Sequence, residues 1–434
     1  MMRRALALGA ACGVAWAGLV GCPAIARAAD CTRDTTGLTA LTDLGPGLYQ
    51  GRQGGLYPGG SNGRPFAHDQ GGIALAQGIV PLDTLGHSDP TQGRIVLISI
   101  GMSNTTQEFQ AFVPKAMSDP ARHPRLLVID CAIGGQSADR IREPAYGYWD
   151  SVATRLRGHG SSPAQAQVAW IKEADAGPTG GFPAATDTLR NNLAAIVRVL
   201  QQRCPNLKLV FLTSRIYAGY ATSNLNPEPY SYESGFAVKW LIEEQIAGVD
   251  SLNFDPAQGP KVAPWLAWGP YLWADGTRGR ADGLTWPCSS FAADGTHPAT
   301  AAREVVADSL LAFFKQDPAA TPWFLAPVVG VAAGPGPRAP GLHLTLAPAS
   351  NPARGRITAQ VDAPPGSAWR LDLFDARGRR IGELGRGVGQ AAGQLVTAPL
   401  ATLRPGGVAP GVYRLRLTCD GSATSRGVVV LPAR

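Results

Sequence analysis

The first residue that could do chemistry is Ser103, which stands in the string Gly101-Met102-Ser103-Asn104 directly after the apolar run at 95–100. A serine hydroxyl is a nucleophile when a base takes its proton and N–H donors hold the oxyanion that forms. In open α/β sheets ligands bind at the carboxyl ends of the strands, which is where this serine is expected. The alternative is structural: Ser103 would only cap the helix that residues 104–117 predict.

A candidate base and its carboxylate partner stand in Asp294-Gly295-Thr296-His297-Pro298. An aspartate and a histidine three residues apart on one turn can bring the carboxylate against the imidazole and fix its tautomer. Pro298 suits the first position of the helix predicted over 299–316. The other five histidines have no carboxylate at this spacing. Together with the strand-end serine, this turn favours nucleophilic catalysis.

The elements that must position these residues form an alternating series. Short apolar runs indicate strands, and Leu and Ile at helical spacing over 188–202 indicate a helix between the last two of them. The predicted strands lie at 95–100, 125–130, 167–171 and 207–213. Such alternation predicts a parallel sheet covered by helices on both faces.

Residues 92–316 resemble the SGNH (GDSL-type) hydrolases, which carry a serine after the first strand, a glycine after the second, and D-x-x-H before the last helix. The string G-M-S-N is similar to the G-Q-S-N of sialate and other carbohydrate acetylesterases. The resemblance implies a three-layer α/β domain with a flavodoxin-like parallel sheet. It also implies acyl transfer by Ser103, with His297 as base and Asp294 steadying the imidazolium, and it requires no metal or cofactor.

The second segment of the resemblance is Ile133-Gly134-Gly135-Gln136-Ser137. By analogy with the family, the backbone N–H groups of Ser103 and Gly135 would hold the oxyanion. The alternative for Gly135 is an ordinary glycine of a turn between a strand and a helix.

The third segment departs from the family, because Lys172-Glu173-Ala174-Asp175 has lysine where the family has glycine. The side-chain donor of the oxyanion hole would fall at Asp175, and an ionised carboxylate cannot donate a hydrogen bond. Three alternatives stay open: a protonated Asp175, a substitute donor such as Asn104 or Gln136, or a hole with two donors. Loss of one donor typically costs about 2.7–4 kcal/mol of transition-state stabilisation.

Candidate substrate-binding residues are Asn104, Gln136, Arg215 and Tyr217, with further aromatic residues along the chain. Aromatic rings with an arginine beside them suit sugars or acidic sugars, which favours a small-molecule or polysaccharide ester as substrate. The alternative is that the aromatic residues pack against the rim of the sheet. The residues concerned are Tyr217, Tyr220, Tyr230, Tyr232, Trp265, Trp268, Tyr271 and Trp273.

The chain changes in texture after a Gly/Pro-rich linker at 328–341. Short, partly alternating apolar runs with Gly and Pro turns predict a small β-sandwich over 342–434. Asn351-Pro352, the hairpin at 373–379 and the string at 410–415 resemble immunoglobulin-like modules of the flagellar hook-capping type and type IX secretion sorting domains. The resemblance implies secretion or attachment to the cell envelope.

The formal charge of +7 is unevenly distributed. From residue 338 onward 13 arginines against 5 acids give +8, residues 29–337 hold 23 basic against 27 acidic residues, and the first 28 residues contribute three arginines. We interpret the excess as a solvated basic β-surface facing an anionic envelope, and we predict no nucleic-acid partner.

Residues 1–28 have the pattern of an export signal, with Arg3 and Arg4 before an uncharged apolar run. Ala26-Arg27-Ala28 fits a signal peptidase site, whereas Leu19-Val20-Gly21-Cys22 resembles a lipobox that would anchor the protein at Cys22. Cleavage after Ala28 leaves five cysteines, an odd number, so at least one thiol is expected to lack an intramolecular partner.

The sequence thus predicts an exported protein with a hydrolase domain at 29–327, the linker, and the β-module. The favoured function is a secreted serine esterase that deacetylates a carbohydrate. The alternatives are a non-catalytic exported surface or binding protein with a degenerate SGNH fold, and a lipase or thioesterase of the same fold.

Overall fold

The computed structural model describes residues 28–326 and, further along, 342–431 except for 347–352, 376–377, 391–393, 404–406 and 421. The described residues belong to two compact units that divide between Val328 and Val329. The lipobox cysteine Cys22, the rest of the predicted signal before Ala28, and the predicted linker at 328–341 lie outside the described residues.

The first unit is built on a five-stranded parallel sheet, separate from a short antiparallel hairpin of β1 (Leu48–Tyr49) and β2 (Arg52–Gln53). Its strands are β3 (Ile95–Gly101), β4 (Leu126–Ile129), β5 (Ala166–Lys172), β6 (Leu209–Thr213) and β7 (Trp265–Trp268), in the order β4-β3-β5-β6-β7. Every residue of β3 and of β5 is buried, so both faces of the sheet are covered. The predicted parallel α/β sheet is confirmed.

The fifth strand was not predicted, because its aromatic residues suggested a loop. Trp265 and Trp268 lie in β7, and Tyr271 and Trp273 follow it in the buried interior. Of the two interpretations of these four rings, a platform for sugars or packing against the sheet, their burial favours packing.

Helices pack on the sheet in two groups, one containing α2, α3, α8 and α9 and the other α4, α6 and α7. The nine helices of residues 28–326 are α1 (Leu41–Leu44), α2 (Phe66–Gln77), α3 (Ser103–Ser118), α4 (Ala138–Ile141), α5 (Tyr148–Gly158), α6 (Ala184–Arg203), α7 (Tyr230–Ile246), α8 (Thr300–Gln316) and α9 (Thr321–Phe324). The predicted helix at 188–202 is the central part of α6, whose Leu189, Leu193 and Ile196 are buried as their spacing requires. α6 therefore contributes its apolar stripe to the core.

A disulfide joins Cys31, near the start of the described chain, to Cys288, shortly before α8. The sulfur atoms of Cys131, Cys204 and Cys419 are free, and all three residues are buried. The bond ties the amino-terminal segment to the loop that leads to Asp294 and His297.

The second unit consists of two antiparallel-rich sheets whose inner residues share one hydrophobic core, so the β-rich prediction for this region is confirmed. Leu344, Ile357 and Val361 from one sheet lie in the same core as Leu371 and Leu415 from the other. The strands are β8 (His343–Leu346), β9 (Ala353–Arg354), β10 (Arg356–Asp362), β11 (Ala368–Asp375), β12 (Arg380–Val388), β13 (Gln394–Pro399), β14 (Gly411–Cys419) and β15 (Ser422–Leu431), in the orders β13-β10-β8 and β12-β11-β14-β15-β9.

Within the part of the chain that the structure describes, no helix is both long and apolar enough to cross a bilayer.

Replacing both cysteines of the disulfide, in Cys31→Ser/Cys288→Ser, should lower the free energy of unfolding by about 2–5 kcal/mol, because the cross-link closes a long loop. The two cysteines are 257 residues apart in the sequence. Urea denaturation followed by tryptophan fluorescence measures the change. A reductant should destabilise the wild type and leave the double variant unchanged; equal stability of the two proteins without reductant would contradict the prediction.

Candidate active site

Ser103 stands in a tight junction between the sheet and a helix. β3 ends at Gly101 and α3 begins at Ser103, so a single residue separates strand from helix. A Cβ at Gly101 would lie 2.4 Å from the Lys172 carbonyl oxygen and 2.4 Å from the Thr105 hydroxyl oxygen. Only glycine fits there, because both neighbours are held in place by the sheet and the helix. The junction places Ser103 at the carboxyl edge of the sheet.

Ser103, His297 and Asp294 form a continuous chain of hydrogen bonds. The Ser103 Oγ lies 2.7 Å from His297 Nε2, and His297 Nδ1 lies 2.5 Å from Asp294 Oδ2. The second oxygen of Asp294 accepts the backbone N–H groups of Thr296 at 2.9 Å and His297 at 3.0 Å. Burial acts against ionisation, but these N–H groups and the imidazole outweigh it and lower the pKa of Asp294. The carboxylate therefore stays charged beside the ring.

The loop that carries the histidine is fixed at two points. Gly295 has a φ of 66°, and a Cβ there would lie 2.2 Å from the Tyr220 carbonyl oxygen, so the Asp-Gly-Thr-His turn needs glycine at this position. Asn104, beside the serine, donates its side-chain N–H to the Thr296 carbonyl oxygen at 3.0 Å. This bond joins the serine turn to the histidine turn and holds Ser103 and His297 close together.

The turn after β4 forms the other wall beside the serine. The backbone N–H of Ile133 donates to the Gly101 carbonyl oxygen at 2.9 Å. Gly134 lies next to the serine: a Cβ added to Gly134 would be 3.7 Å from the Ser103 Cβ. Gly135 lines the same cleft as Ser103. An oxyanion there would also lie at the amino terminus of the 16-residue helix α3, where the helix dipole favours negative charge.

Lysine at position 172 is accommodated by a partner on α3. The Lys172 ammonium contacts both oxygens of Glu108, with Nζ 2.6 Å from Oε2, and the two side chains are 1% and 0% exposed. Burial lowers the pKa of Lys172 to about 8, although Glu108 acts in the opposite direction. Burial also raises the pKa of Glu173 well above its usual value. The lysine thus ends in a buried ion pair and does not enter the oxyanion position.

Asp175 lines the cleft and is largely buried. Burial raises the pKa of its carboxyl, although the Asn192 side chain donates to Oδ1 at 2.8 Å and favours the charged form. The two proposed substitute donors are placed differently: Asn104 lines the cleft and has one of its two amide N–H groups bonded to Thr296, whereas Gln136 does not line the cleft. A neutral Asp175, Asn104 as the donor, and a hole with two donors therefore remain as the alternatives.

The cleft has a volume of about 290 Å³. Besides the predicted Ser103, His297, Gly135, Asp175, Asn104 and Arg215, its lining includes residues that the sequence did not single out: Met102, Ser137, Ala176, Leu225, Asn226 and Thr296. Only Asn226 carried a signal, because asparagine tolerates a positive φ better than other non-glycine residues, and its φ here is 57°.

Arg215 and Tyr217, both predicted to bind substrate, are separated by the structure. Arg215 lines the cleft. Tyr217 is buried away from it, because its hydroxyl donates to the Arg33 carbonyl oxygen at 2.7 Å and its ring packs edge-on against Tyr220. Tyr217 therefore supports the fold of the loop and does not reach the cleft.

No cluster of three or more histidine, cysteine, aspartate or glutamate side chains suited to a metal ion occurs among the described residues.

Comparison with known proteins gives no family model and no curated protein that matches the chain. Among solved structures, the chain is similar to a mutant of an acetyl-xylooligosaccharide esterase from Geobacillus Stearmophilus, with 14% identity and a TM-score of 0.27; the similarity covers 50% of this chain and 93% of the esterase. The chain is also similar to the salicylyl-acyltransferase SsfX3 from a tetracycline biosynthetic pathway, with 16% identity and a TM-score of 0.27; this similarity covers 51% of this chain and 54% of the acyltransferase. At such low TM-scores neither similarity carries an argument on function.

Removing one partner of the buried pair, in Lys172→Met, should lower the free energy of unfolding by about 3–5 kcal/mol, because Glu108 is left buried and unpaired. The double variant Lys172→Met/Glu108→Leu should recover most of that loss. The control is Lys115→Met. Lys115 lies on α3, like Glu108, and forms more exposed ion pairs with Glu304 and Asp308, so its replacement should have a far smaller effect on the free energy of unfolding. Chemical denaturation measures all three, and a double variant as unstable as the single one would contradict the account.

The raised pKa of Asp175 predicts a pH dependence. If the neutral carboxyl donates to the oxyanion, activity on a neutral ester should fall as the pH rises through the Asp175 pKa, since the donor is then lost. Asp175→Asn keeps a donor at every pH, so its rate should match or exceed that of the wild type and lose this alkaline decline. Profiles of kcat/KM against pH test this; the same decline in both proteins would exclude Asp175 as a donor to the oxyanion.

Proposed function

We propose that the first unit is a serine esterase with an SGNH-type three-layer fold. The observation that carries the proposal is the unbroken hydrogen-bonded chain from Ser103 through His297 to Asp294, at 2.7 Å and 2.5 Å, opening into a cleft. A serine that only caps a helix needs no base, whereas this serine contacts an imidazole whose other nitrogen is held by a carboxylate. That arrangement prepares the hydroxyl for attack on a carbonyl.

The first half of the reaction forms an acyl-enzyme. His297 Nε2 takes the proton as the Ser103 oxygen attacks the ester carbonyl carbon, and Asp294 stabilises the imidazolium and keeps its orientation. The tetrahedral intermediate collapses when the bond to the alcohol oxygen breaks, and His297 returns the proton to that oxygen. Water then attacks the acyl-enzyme by the same route, releasing the acid and restoring Ser103.

The negative charge that develops on the carbonyl oxygen is held by backbone N–H groups. In the proposal these are the N–H groups of Ser103 and Gly135, aided by the amino terminus of α3. Asp175 is the third donor when it is neutral. Because the turn after β4 is bonded to the end of β3, the two N–H groups are positioned before the substrate arrives.

The size of the cleft favours a small acyl group. Its volume of about 290 Å³ is on the order of ten water molecules, which accommodates an acetyl group and part of a sugar ring better than a long acyl chain. Polar side chains such as Asn226 and Arg215 in the lining suit hydroxyl-bearing or charged alcohols. We therefore propose deacetylation of a carbohydrate in preference to hydrolysis of lipids or thioesters.

We further propose that the protein is exported, with residues 1–28 as the signal, and that an immunoglobulin-like second unit attaches it to an anionic cell envelope. The Cys31–Cys288 disulfide supports export, since such bonds persist in oxidising compartments. Attachment is supported by Arg414 and Arg416, exposed on β14 without an ion-pair partner among the described residues. They border a groove of about 730 Å³ on the same unit.

Labelling with a fluorophosphonate tests the nucleophile. The wild type should react and Ser103→Ala should not, because the probe bonds only to an activated serine oxygen. Ser137→Ala is the matched control, since Ser137 lies in the same cleft but donates its hydroxyl to Asp139 at 2.6 Å. A folded wild type that stays unlabelled, or equal labelling of Ser103→Ala, would favour a non-catalytic surface protein.

A panel of esters from acetyl to long acyl chains tests the substrate class. We expect the highest kcat/KM on acetyl esters and a loss of about a thousandfold or more in Ser103→Ala and His297→Ala. Hydrolysis that increases with chain length would instead indicate a lipase or thioesterase.

A further inference from the structure

Arg215 is a buried cation at the cleft with unsatisfied donors. Its side chain is 2% exposed, it lines the same cleft as Ser103 and His297, and its Nε and Nη2 atoms have no hydrogen-bond partner. The backbone is fixed, because the Arg215 N–H donates to the Ser234 hydroxyl at 3.1 Å. Buried arginines normally have carboxylate or carbonyl partners on their N–H groups. This one leaves a donor set unused at the edge of the candidate active site.

The carboxylates around Arg215 are engaged elsewhere. Glu108 is bonded to Lys172, and Glu228 accepts the Trp273 ring N–H at 2.8 Å together with the backbone N–H groups of Ala218 and Tyr232. Among residues 28–326 none of the neighbouring carboxylates lies within ion-pair distance of the guanidinium.

The two remaining neighbours do not contact the guanidinium either. Asp294 is bonded to His297, and burial raises the pKa of Glu173 well above its usual value, which favours its neutral form. The guanidinium itself keeps its proton, because arginine does not lose it in proteins, even where burial lowers its pKa as here. A positive charge therefore lies at the cleft with no carboxylate of the described residues within ion-pair distance, although Glu228 and Asp294 act on it from farther away.

A second side chain points to a ligand in the same place. Asn226 is buried in the lining, its backbone has a φ of 57°, and its Oδ1 atom has no partner. The lining of one cleft thus contains unpartnered donors of Arg215 and an unpartnered acceptor of Asn226, at a place where a ligand is expected to bind.

We propose that Arg215 binds a carboxylate of the ester substrate, so that the enzyme selects esters that carry a negative charge next to the scissile bond. The proposal rests on the esterase function proposed for this cleft and adds the chemical class of its substrate. A carboxylate matches the planar donor edge of a guanidinium, and it would accept hydrogen bonds from the unpartnered Nε and Nη2 atoms. Arg215 is then a specificity-determining residue that touches the substrate away from the reacting atoms.

Two matched pairs of esters test the proposal. One pair is an O-acetylated methyl glucuronide and the corresponding acetylated methyl glucoside, which differ only in the ring carboxylate. The other pair is 4-nitrophenyl hemisuccinate and 4-nitrophenyl butyrate, which places the charge on the acyl side. The wild type should prefer the charged member of at least one pair by about ten- to a hundredfold in kcat/KM, in line with a hydrogen bond to a charged group.

In Arg215→Met that preference should disappear, because kcat/KM should fall about ten- to a hundredfold further on the charged ester than on the neutral one, through a higher KM. Arg215→Lys should retain part of the preference, because it keeps the charge and loses the planar donor edge. Arg157→Gln removes an exposed arginine that contacts only Thr154 through its side chain, and it controls for the change in net charge. Unchanged fluorophosphonate labelling of Arg215→Met would show that the fold and the nucleophile are intact.

Equal losses on charged and neutral esters would overturn the proposal and assign Arg215 to the oxyanion or to the fold. A wild type that hydrolyses neutral esters without preferring either charged one would overturn it too. Calorimetric binding of the acetylated methyl glucuronide and of 4-nitrophenyl hemisuccinate to Ser103→Ala, with and without Arg215→Met, separates this inference from the esterase proposal. Binding of either ester that depends on Arg215 would support carboxylate recognition even if no turnover were found, and binding of both that does not depend on Arg215 would overturn it.

Discussion

The carboxyl end of β3 is the constraint on which the rest of the cleft depends. This strand pairs with β4 on one side and with β5 on the other, so its last residue, Gly101, meets both neighbouring turns. It accepts the N–H of Ile133 from the turn after β4 and pairs in register with Lys172 at the end of β5. A side chain at Gly101 would separate the three segments, and Ser103, Gly135 and Asp175 would lose their common position.

Burial of charge beneath this edge has different consequences for neighbouring residues. Lys172 and Glu108 neutralise each other, so the pair contributes a rigid connection between β5 and α3. Asp175 and Glu173 have no cation at that distance, and burial raises the pKa of both. The Arg215 guanidinium has no ion-pair partner among the described residues and does not lose its proton. The low dielectric of the site thus favours neutral carboxyls and disfavours the unpaired guanidinium, which a substrate bringing its own negative charge would stabilise.

The two units of the chain differ in where their charged side chains lie. In the first unit the charged side chains discussed above are buried, and each lies at the cleft or in a contact of the core. In the second unit arginines such as Arg370 and Arg386 lie on the surface, where they pair with Asp372 and Glu383 or remain in water. The net charge of +7 belongs arithmetically to this surface and to the first residues of the chain, and it carries no information about the cleft.

The sequence by itself determined the parallel sheet, the β-rich second unit and the positions of Ser103, Asp294 and His297 as candidates, because apolar periodicity and short-range spacing are local properties. Only the tertiary structure decided how distant segments meet: Ser103 and His297 are 194 residues apart, and no local pattern reports a contact at that separation. It also showed that Trp265 and Tyr217, which were candidates for substrate binding, are buried, and that Lys172 forms an ion pair with Glu108. Burial and hydrogen bonding depend on the packing of the whole unit, so the burial of Asp175 and Arg215 and the place of Asn226 in the cleft emerged only there.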